Sequence, residues 1–371
     1  MRAWPLTGAQ LVLALFAWAG AWAGAGAGCE RRGPPVRELA IAHGHGCAVL
    51  EDGTVRCWGY NEQGQLGTGD AIDRPRPSTV AGLTTATHLA AFGSSTCAVL
   101  ADGTARCWGW NLSGQLGGTD LLQKRPVPAP VPGLTGAGGI ALGATHGCAW
   151  RKDGAAFCWG ENRAGQLGDG SSTRRTEATP VVDTGDTPLL GGVTSMALGQ
   201  AHSCALLVDE TVRCWGDDTQ GQAGGGPRLR SRYAPVVIGG LAGVKAIAAG
   251  NYTTCALLAD GAIRCWGGSG GTGTPVPTAV VGIANATQIS IGFGGACARI
   301  ADGGIRCWTM DGTSMDGPKH RVTNVKSVVV GWSFGCLIGD DGIVKCWGSN
   351  DHGRLADGTT VSRRDPTPVR W

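Results

Sequence analysis

Fourteen of the fifteen cysteines in this chain come in pairs ten positions apart, and each second cysteine is followed directly by tryptophan. The pairs are Cys47 with Cys57, Cys97 with Cys107, Cys148 with Cys158, Cys204 with Cys214, Cys255 with Cys265, Cys297 with Cys307 and Cys336 with Cys346. Trp58, Trp108, Trp159, Trp215, Trp266, Trp308 and Trp347 come after them. Sulfur in such a pattern can form disulfides, ligate zinc or fill a core as free thiol. Zinc wants four ligands, usually with a Cys-x-x-Cys spacing that is absent here. Buried free cysteine is common and stays open as an alternative. One spacing kept seven times, behind an export-type leader, favours seven bridges inside the repeats.

Other chemistry-bearing residues recur in the same frame. Histidine stands two places before the first cysteine at His45, His146 and His202 and is replaced by Ser95, Thr253, Gly295 and Phe334. Each falls in a separate repeat without convergent partners, so a structural, hydrogen-bonded histidine is expected rather than a metal ligand or base. No nucleophile–base pair, phosphate-cradling loop or zinc-protease motif is present, so we expect no enzyme, no cofactor and no metal. The repeated tryptophan could stack on a sugar, but one per repeat at a fixed strand end reads as core. Trp110, Trp150, Trp332 and Trp371 break the repeat and are candidates for specific contacts.

The element that must position these residues is a β-hairpin. Cys-Ala-Val-Leu runs into an Asp-Gly turn and out through Thr-Val-Arg-Cys-Trp. Aspartate lies five positions after the first cysteine in all seven copies, and glycine follows it everywhere except at Glu210. A turn centred there sets the two cysteines opposite each other, at a separation that a disulfide spans. Arginine before the second cysteine then faces the alanine after the first, where a small residue leaves room for a long stem.

Between hairpins come a Gly-Gln-Leu-Gly loop, a proline-rich segment and an alternating apolar stretch, which adds two strands per repeat. First cysteines lie 50, 51, 56, 51, 42 and 39 residues apart. Such periods, built from short strands, predict an all-β, seven-bladed β-propeller with four-stranded blades over residues 36–371. Proline belongs on the outer edge of each blade. The last segment, Pro366-Thr367-Pro368-Val369, has no hairpin after it, so we expect this C-terminal strand to return and complete the first blade.

The leader has a cation at Arg2, an apolar run over Leu11–Trp22 and small residues up to residue 28, so residues 1–28 read as a signal peptide. Cys29 follows as Ala27-Gly28-Cys29, which resembles a lipoprotein signal and makes Cys29 a candidate for lipidation; a plain leftover thiol is the alternative. Residues 29–35 read as a tether. The protein is expected to be exported, to the cell envelope or outside the cell, as a monomer that meets a membrane only through that anchor. A net charge of +3 gives no reason to expect nucleic acid.

Basic residues gather before the proline-rich strand in six of the seven repeats, including Arg74, Arg174, Arg175, Arg228, Arg230, Arg232 and Arg363. They would form a discontinuous ring on one rim, either steering an acidic partner, anionic lipid or polysaccharide or simply solvating an edge. Arg174, Arg175, Arg228, Arg230, Arg232, Tyr233, Trp110 and Trp332 are the candidates for partner binding.

With Gly-x-x-His-x-Cys-Ala-Leu, Asp-Gly-x-Val-x-Cys-Trp-Gly and Asn-x-x-Gly-Gln-Leu-Gly, the chain resembles the regulator of chromosome condensation repeat family. The match runs from about residue 36 to the end, with the loop at Asn61, Asn111 and Asn162, weakened at Gly221 and Gly353, and missing after the fifth and sixth hairpins. The resemblance implies a seven-bladed propeller. Its best-known members imply a nuclear exchange factor for a small GTPase that binds chromatin, or a secreted bacterial inhibitor of β-lactamases. Export and paired cysteines argue against the nuclear role. The expected function is a non-enzymatic scaffold that binds a protein or other macromolecule through rim loops. An enzyme regulator, as hydrolase inhibitor or guanine nucleotide exchange factor, and a glycan-binding surface protein are the alternatives.

Overall fold

The computed structural model describes residues 33–119, 123–183, 188–227, 229–268, 273–309 and 322–371. The signal peptide and Cys29 lie outside these residues, as does Arg228.

The first blade is an antiparallel meander whose spatial order is its chain order: β1 (Val36–Ile41), β2 (His45–Leu50), β3 (Val55–Gly59) and β4 (Arg74–Thr79). Five further sheets repeat this four-stranded order, and a sixth shows three strands among the described residues. The expected all-β, seven-bladed architecture is therefore present. No helix among the described residues is long and apolar enough to cross a membrane.

The hairpin forms where Asp52 and Gly53 place it. The Asp52 carboxylate accepts from the backbone N–H and the hydroxyl of Thr54, at 2.9 and 2.7 Å, the local bonding that makes aspartate a turn residue. Gly53 takes φ +79°, and a Cβ there would lie 2.6 Å from the Thr84 carbonyl oxygen, so only glycine fits without movement. Leu50 donates to the Thr54 carbonyl, which fixes the alternation and makes Cys47 and Cys57 a non-hydrogen-bonded pair.

The other cysteines meet in the same register: Cys97 with Cys107, Cys148 with Cys158, Cys204 with Cys214, Cys255 with Cys265, Cys297 with Cys307 and Cys336 with Cys346. All seven pairs are disulfides, with Cα atoms 4.0 to 4.1 Å apart. Each bridge therefore stays inside one hairpin and none links neighbouring blades. Arg56 lies opposite Ala48, as the pattern of small and long residues requires.

The proline strand is the outer edge, as expected. Its register with β3 jumps from Cys57↔Ser78 to Gly59↔Arg74, and the bulge takes up Pro75 and Pro77, which have no N–H to offer a ladder.

The core is seven seams rather than one centre. In a representative seam, Val49, Val55, Leu66 and Val80 of the first blade pack on Leu89, Ala98, Leu100 and Trp108 of the second. The repeated tryptophan is the largest side chain in each seam, and five of the seven are essentially inaccessible to solvent.

The expected strand exchange at the ring closure does not occur. Arg363–Pro368 pairs with Val344–Gly348 of its own blade, and the first blade is already complete. The reason is phase. Six residues, Val36–Ile41, are enough for an inner strand, so the repeat begins with its innermost strand and no place is left open. Side-chain packing and a backbone hydrogen bond seal the ring instead. Val369 and Trp371 join the seam between blades seven and one, where Trp371 meets Trp58 edge-on at 6.2 Å. His352 Nδ1 lies 2.6 Å from Asp73, and Gly358 N–H donates to the Pro75 carbonyl at 2.9 Å.

Candidate functional site

In this meander, the turns from inner to second strand and the loops from third to outer strand emerge on one face, the loop face. The Gly-Gln-Leu-Gly loop is built around an asparagine. Asn61 Oδ1 accepts from Leu66 N–H at 2.9 Å, while its Nδ2 donates to Asp70 and to the Ile72 carbonyl. Asn162 and Asn350 repeat the arrangement. The loop then leans over the next blade. The Gln65 carbonyl accepts from the Trp108 indole at 2.9 Å and from the Thr96 hydroxyl at 3.0 Å.

This explains the histidines. His45 Nε2 lies 2.8 Å from Thr96 Oγ1. That hydroxyl gives its single proton to the carbonyl, so the ring nitrogen must be the donor. His146 with Ser203 and His202 with Thr254 repeat the relay, each hydroxyl donating to Gln166 or Gln222. Each Nδ1 is buried without a partner, and burial above all pushes the three pKa values down to about 3. They are neutral structural histidines, as expected. No group of three metal-ligating side chains occurs among the described residues. The hydroxyl partners were missed in the sequence, although a signal was there: Ser or Thr precedes the first cysteine only in blades that follow a histidine blade.

The basic residues before the outer strands meet local carboxylates. Arg74 pairs with Asp70, Arg175 with Asp169 at 2.8 Å, Arg363 with Asp357 at 3.1 Å and Arg174 with Glu161 at 2.9 Å. Blade four carries a charge swap. Asp218 stands where the other loops have asparagine and takes Arg232 at 3.0 Å; burial pushes its carboxyl up despite that partner. Arg230 is exposed. Tyr233 is 44 % exposed, and its carbonyl accepts from Gly170 N–H at 3.1 Å. Trp110 is half-buried, with its carbonyl accepting from Ser95 Oγ at 2.8 Å. These residues lie over blades two to four, together with Leu112 and Leu229, which are 53 and 50 % exposed.

Trp332 lies elsewhere. It belongs to the lip of a cavity of about 430 Å³ at the mouth of the central channel. Below the lip, glycines pass so close that a Cβ on Gly292 would lie 1.8 Å from the Gly331 carbonyl oxygen, and one on Gly331 would lie 2.3 Å from that of Ala42. One residue further along each turn stand His43, Gly93, Ala144, Gln200, Asn251, Phe293 and Trp332, all lining the cavity. Trp332 is stacked on His43 at 3.6 Å and on Phe293 at 4.1 Å, within 19° and 13° of parallel.

Models of the regulator of chromosome condensation (RCC1) repeat match residues 52–100 and 153–206, and a second model of that repeat matches 90–115, 139–166, 193–222, 244–270 and 325–354. The chain belongs to the regulator of chromosome condensation repeat family. Among relatives of this family, it is 28% identical over 245 residues to the ultraviolet-B receptor UVR8 of Arabidopsis thaliana, covering 64% of this chain and 43% of the receptor. It is 37% identical over 243 residues to the probable E3 ubiquitin-protein ligase HERC4 of Homo sapiens, covering 63% of this chain and 22% of the ligase. The matched regions thus span less than half of either relative. Human WBSCR16 has the same fold, with a TM-score of 0.74 at 20% identity, over 86% of this chain and 95% of that one. Prp20p of Saccharomyces cerevisiae, whose structure was described with its binding to Gsp1p and histones, gives 0.59 at 20% identity over 91% and 77%. In this family the propeller is the shared part, so function must come from the site.

Proposed function

We propose that this chain is an exported, non-enzymatic propeller that binds a protein partner through the loop face of blades two to four. The observation that carries it is that these three blades expose Leu112, Leu229 and Tyr233 and also the arginines Arg163, Arg174 and Arg230. Tyrosine and arginine are enriched at protein–protein hot spots, and exposed leucines on the same blades add apolar area to bury. With Arg174, Arg175 and Arg232 bound to carboxylates, electrostatics orients a partner here more than it attracts one. Seven disulfides fit an oxidising compartment, and lipidation at Cys29 would hold the protein at the envelope.

Affinity capture from the native envelope fraction tests the reading with three variants. Leu112→Glu and Tyr233→Glu should each weaken retention of the same partner by about tenfold or more. Val281→Glu, at a 94 % exposed position in a loop of the opposite face, should retain it. Equal retention by all three would refute the loop-face reading, and a captured hydrolase inhibited by the protein would make the scaffold a regulator.

A further inference from the structure

We propose that the mouth of the central channel is a binding site for an uncharged aromatic group that carries one hydrogen-bond donor, of the phenol or indole class. The cavity, about 430 Å³, is of the size that holds small ligands. Its depth is aliphatic, lined by inner-strand residues such as Leu39, Ile140, Leu198 and Val329. Its lip is divided by chemistry: blades six, seven and one contribute the ring stack, blades two and three only Gly93 and Ala144, and blades four and five the amides of Gln200 and Asn251.

Three observations select the ligand. First, Phe293 and Trp332 remain 43 and 44 % exposed although they stack on each other, so the stack is an aromatic wall left open to the cavity. Second, no Asp, Glu, Lys or Arg among the described residues lines the cavity, and burial, followed by nearby Arg354, lowers the pKa of His43 and favours its neutral form. A charged ligand would lose its hydration there with no charged lining residue to replace it. Third, Gln200 Oε1 is shut off from solvent without a hydrogen-bond partner. A buried carbonyl oxygen of this kind calls for a donor, which Gly93 and Ala144 of the two preceding blades cannot supply. A flat ring against the aromatic wall, with an O–H or N–H that meets this oxygen once the Gln200 amide turns into the cavity it lines, satisfies all three.

The same chemistry could arrive as a free small molecule or as a tyrosine side chain of a partner, so titration of the full chain uses both. The probes are 2-naphthol, 2-methoxynaphthalene, 2-naphthoate and N-acetyltyrosinamide, followed by calorimetry and tryptophan fluorescence. We expect saturable binding of 2-naphthol at or below about 1 mM, with the methoxy analogue about tenfold weaker and no binding of the carboxylate. Tighter binding of the tyrosine amide than of 2-naphthol assigns the site to a partner's side chain; the reverse assigns it to a free ligand. Trp332→Ala and Phe293→Ala should each weaken 2-naphthol about tenfold. Gln200→Leu should abolish the preference for hydroxyl over methoxy while both still bind, which a misfolded chain would not do. Absence of saturable binding, equal binding of the carboxylate, or a preference for hydroxyl that survives Gln200→Leu would overturn the proposal.

Discussion

His45 of the first blade donates from Nε2 to the hydroxyl of Thr96 in the second, 2.8 Å away, and that hydroxyl donates onward to the carbonyl of Gln65 in the first. The two side chains are 51 residues apart and act as one polar rivet across a dry seam. Where the histidine is absent, as at Ser95, Thr253, Gly295 and Phe334, the next blade has Gly147, Ala296, Gly335 or Gly46 in place of the hydroxyl.

Thr96→Val should therefore cost about 1–3 kcal/mol, because it leaves the buried His45 donor without an acceptor. His45→Ser combined with Thr96→Gly, the pairing found at Ser95 and Gly147, should cost less than the sum of its single changes. Urea midpoints of the four proteins measure the coupling.

Acid should loosen the seams in a defined window. His45, His146 and His202 have pKa values near 3 when folded, against an ordinary 6.5. The unfolded chain thus binds their protons first as pH falls. Their stabilisation is complete above pH 6.5 and is lost as pH drops towards 3, by up to about 1.4 kcal/mol per unit each, roughly 4 kcal/mol per unit together. His88, whose pKa is raised by its hydrogen bond to Glu38, contributes with the opposite sign and loses its stabilisation as pH rises. Replacing the three seam histidines by glutamine should flatten the acid limb between about pH 6.5 and 4.5; an unchanged slope would assign that limb to other groups.

The neck of the channel distinguishes two glycines only two positions apart. Gly292→Ala would force a Cβ onto the Gly331 carbonyl at 1.8 Å, whereas Gly294→Ala meets nothing within 4 Å. The first should cost at least about 2 kcal/mol and the second less than about 0.5 kcal/mol, as thermal unfolding would show.

Each disulfide closes a loop of ten residues, worth up to about 3 kcal/mol in the chain-entropy model. Paired Cys47→Ala and Cys57→Ala substitutions should lower stability by roughly 2–3 kcal/mol while leaving the fold intact. Non-reducing mass mapping should recover the seven pairs within their own hairpins.

Removing residues 366–371 takes part of an outer strand together with Val369 and Trp371, which pack on Trp58 of the first blade. That deletion should lower the melting temperature far more than removing residues 29–32. Trp371→Ala alone should cost about 1–3 kcal/mol, the scale of a half-buried aromatic lost from a seam. Equal melting temperatures for the two deletions would mean that the C-terminus does not seal the ring.

Repetition made most of the fold legible. Seven copies of a cysteine spacing, an Asp-Gly turn and a proline-rich strand report hairpin, disulfide and edge strand independently, because each depends on residues within ten or so positions. The closure was misread because periodicity is blind to phase: strands in chain order fit equally well whether the repeat starts with its inner or its outer strand.

What the sequence determined by itself was local: which cysteines pair, where each hairpin turns, where proline must sit and which tryptophan is core. Backbone geometry over short spans dictates all of these. Only the tertiary structure decided which side chains meet across seams and around the axis. His45 with Thr96, Arg232 with Asp218, and the stack of Phe293, Trp332 and His43 join residues brought together by ring closure or by the folding of a loop. The stack unites blades six, seven and one, and Trp332 in isolation gave no sign of it. Contacts of that kind depend on the angle between neighbouring blades and on where the ring ends meet, and no single repeat encodes either.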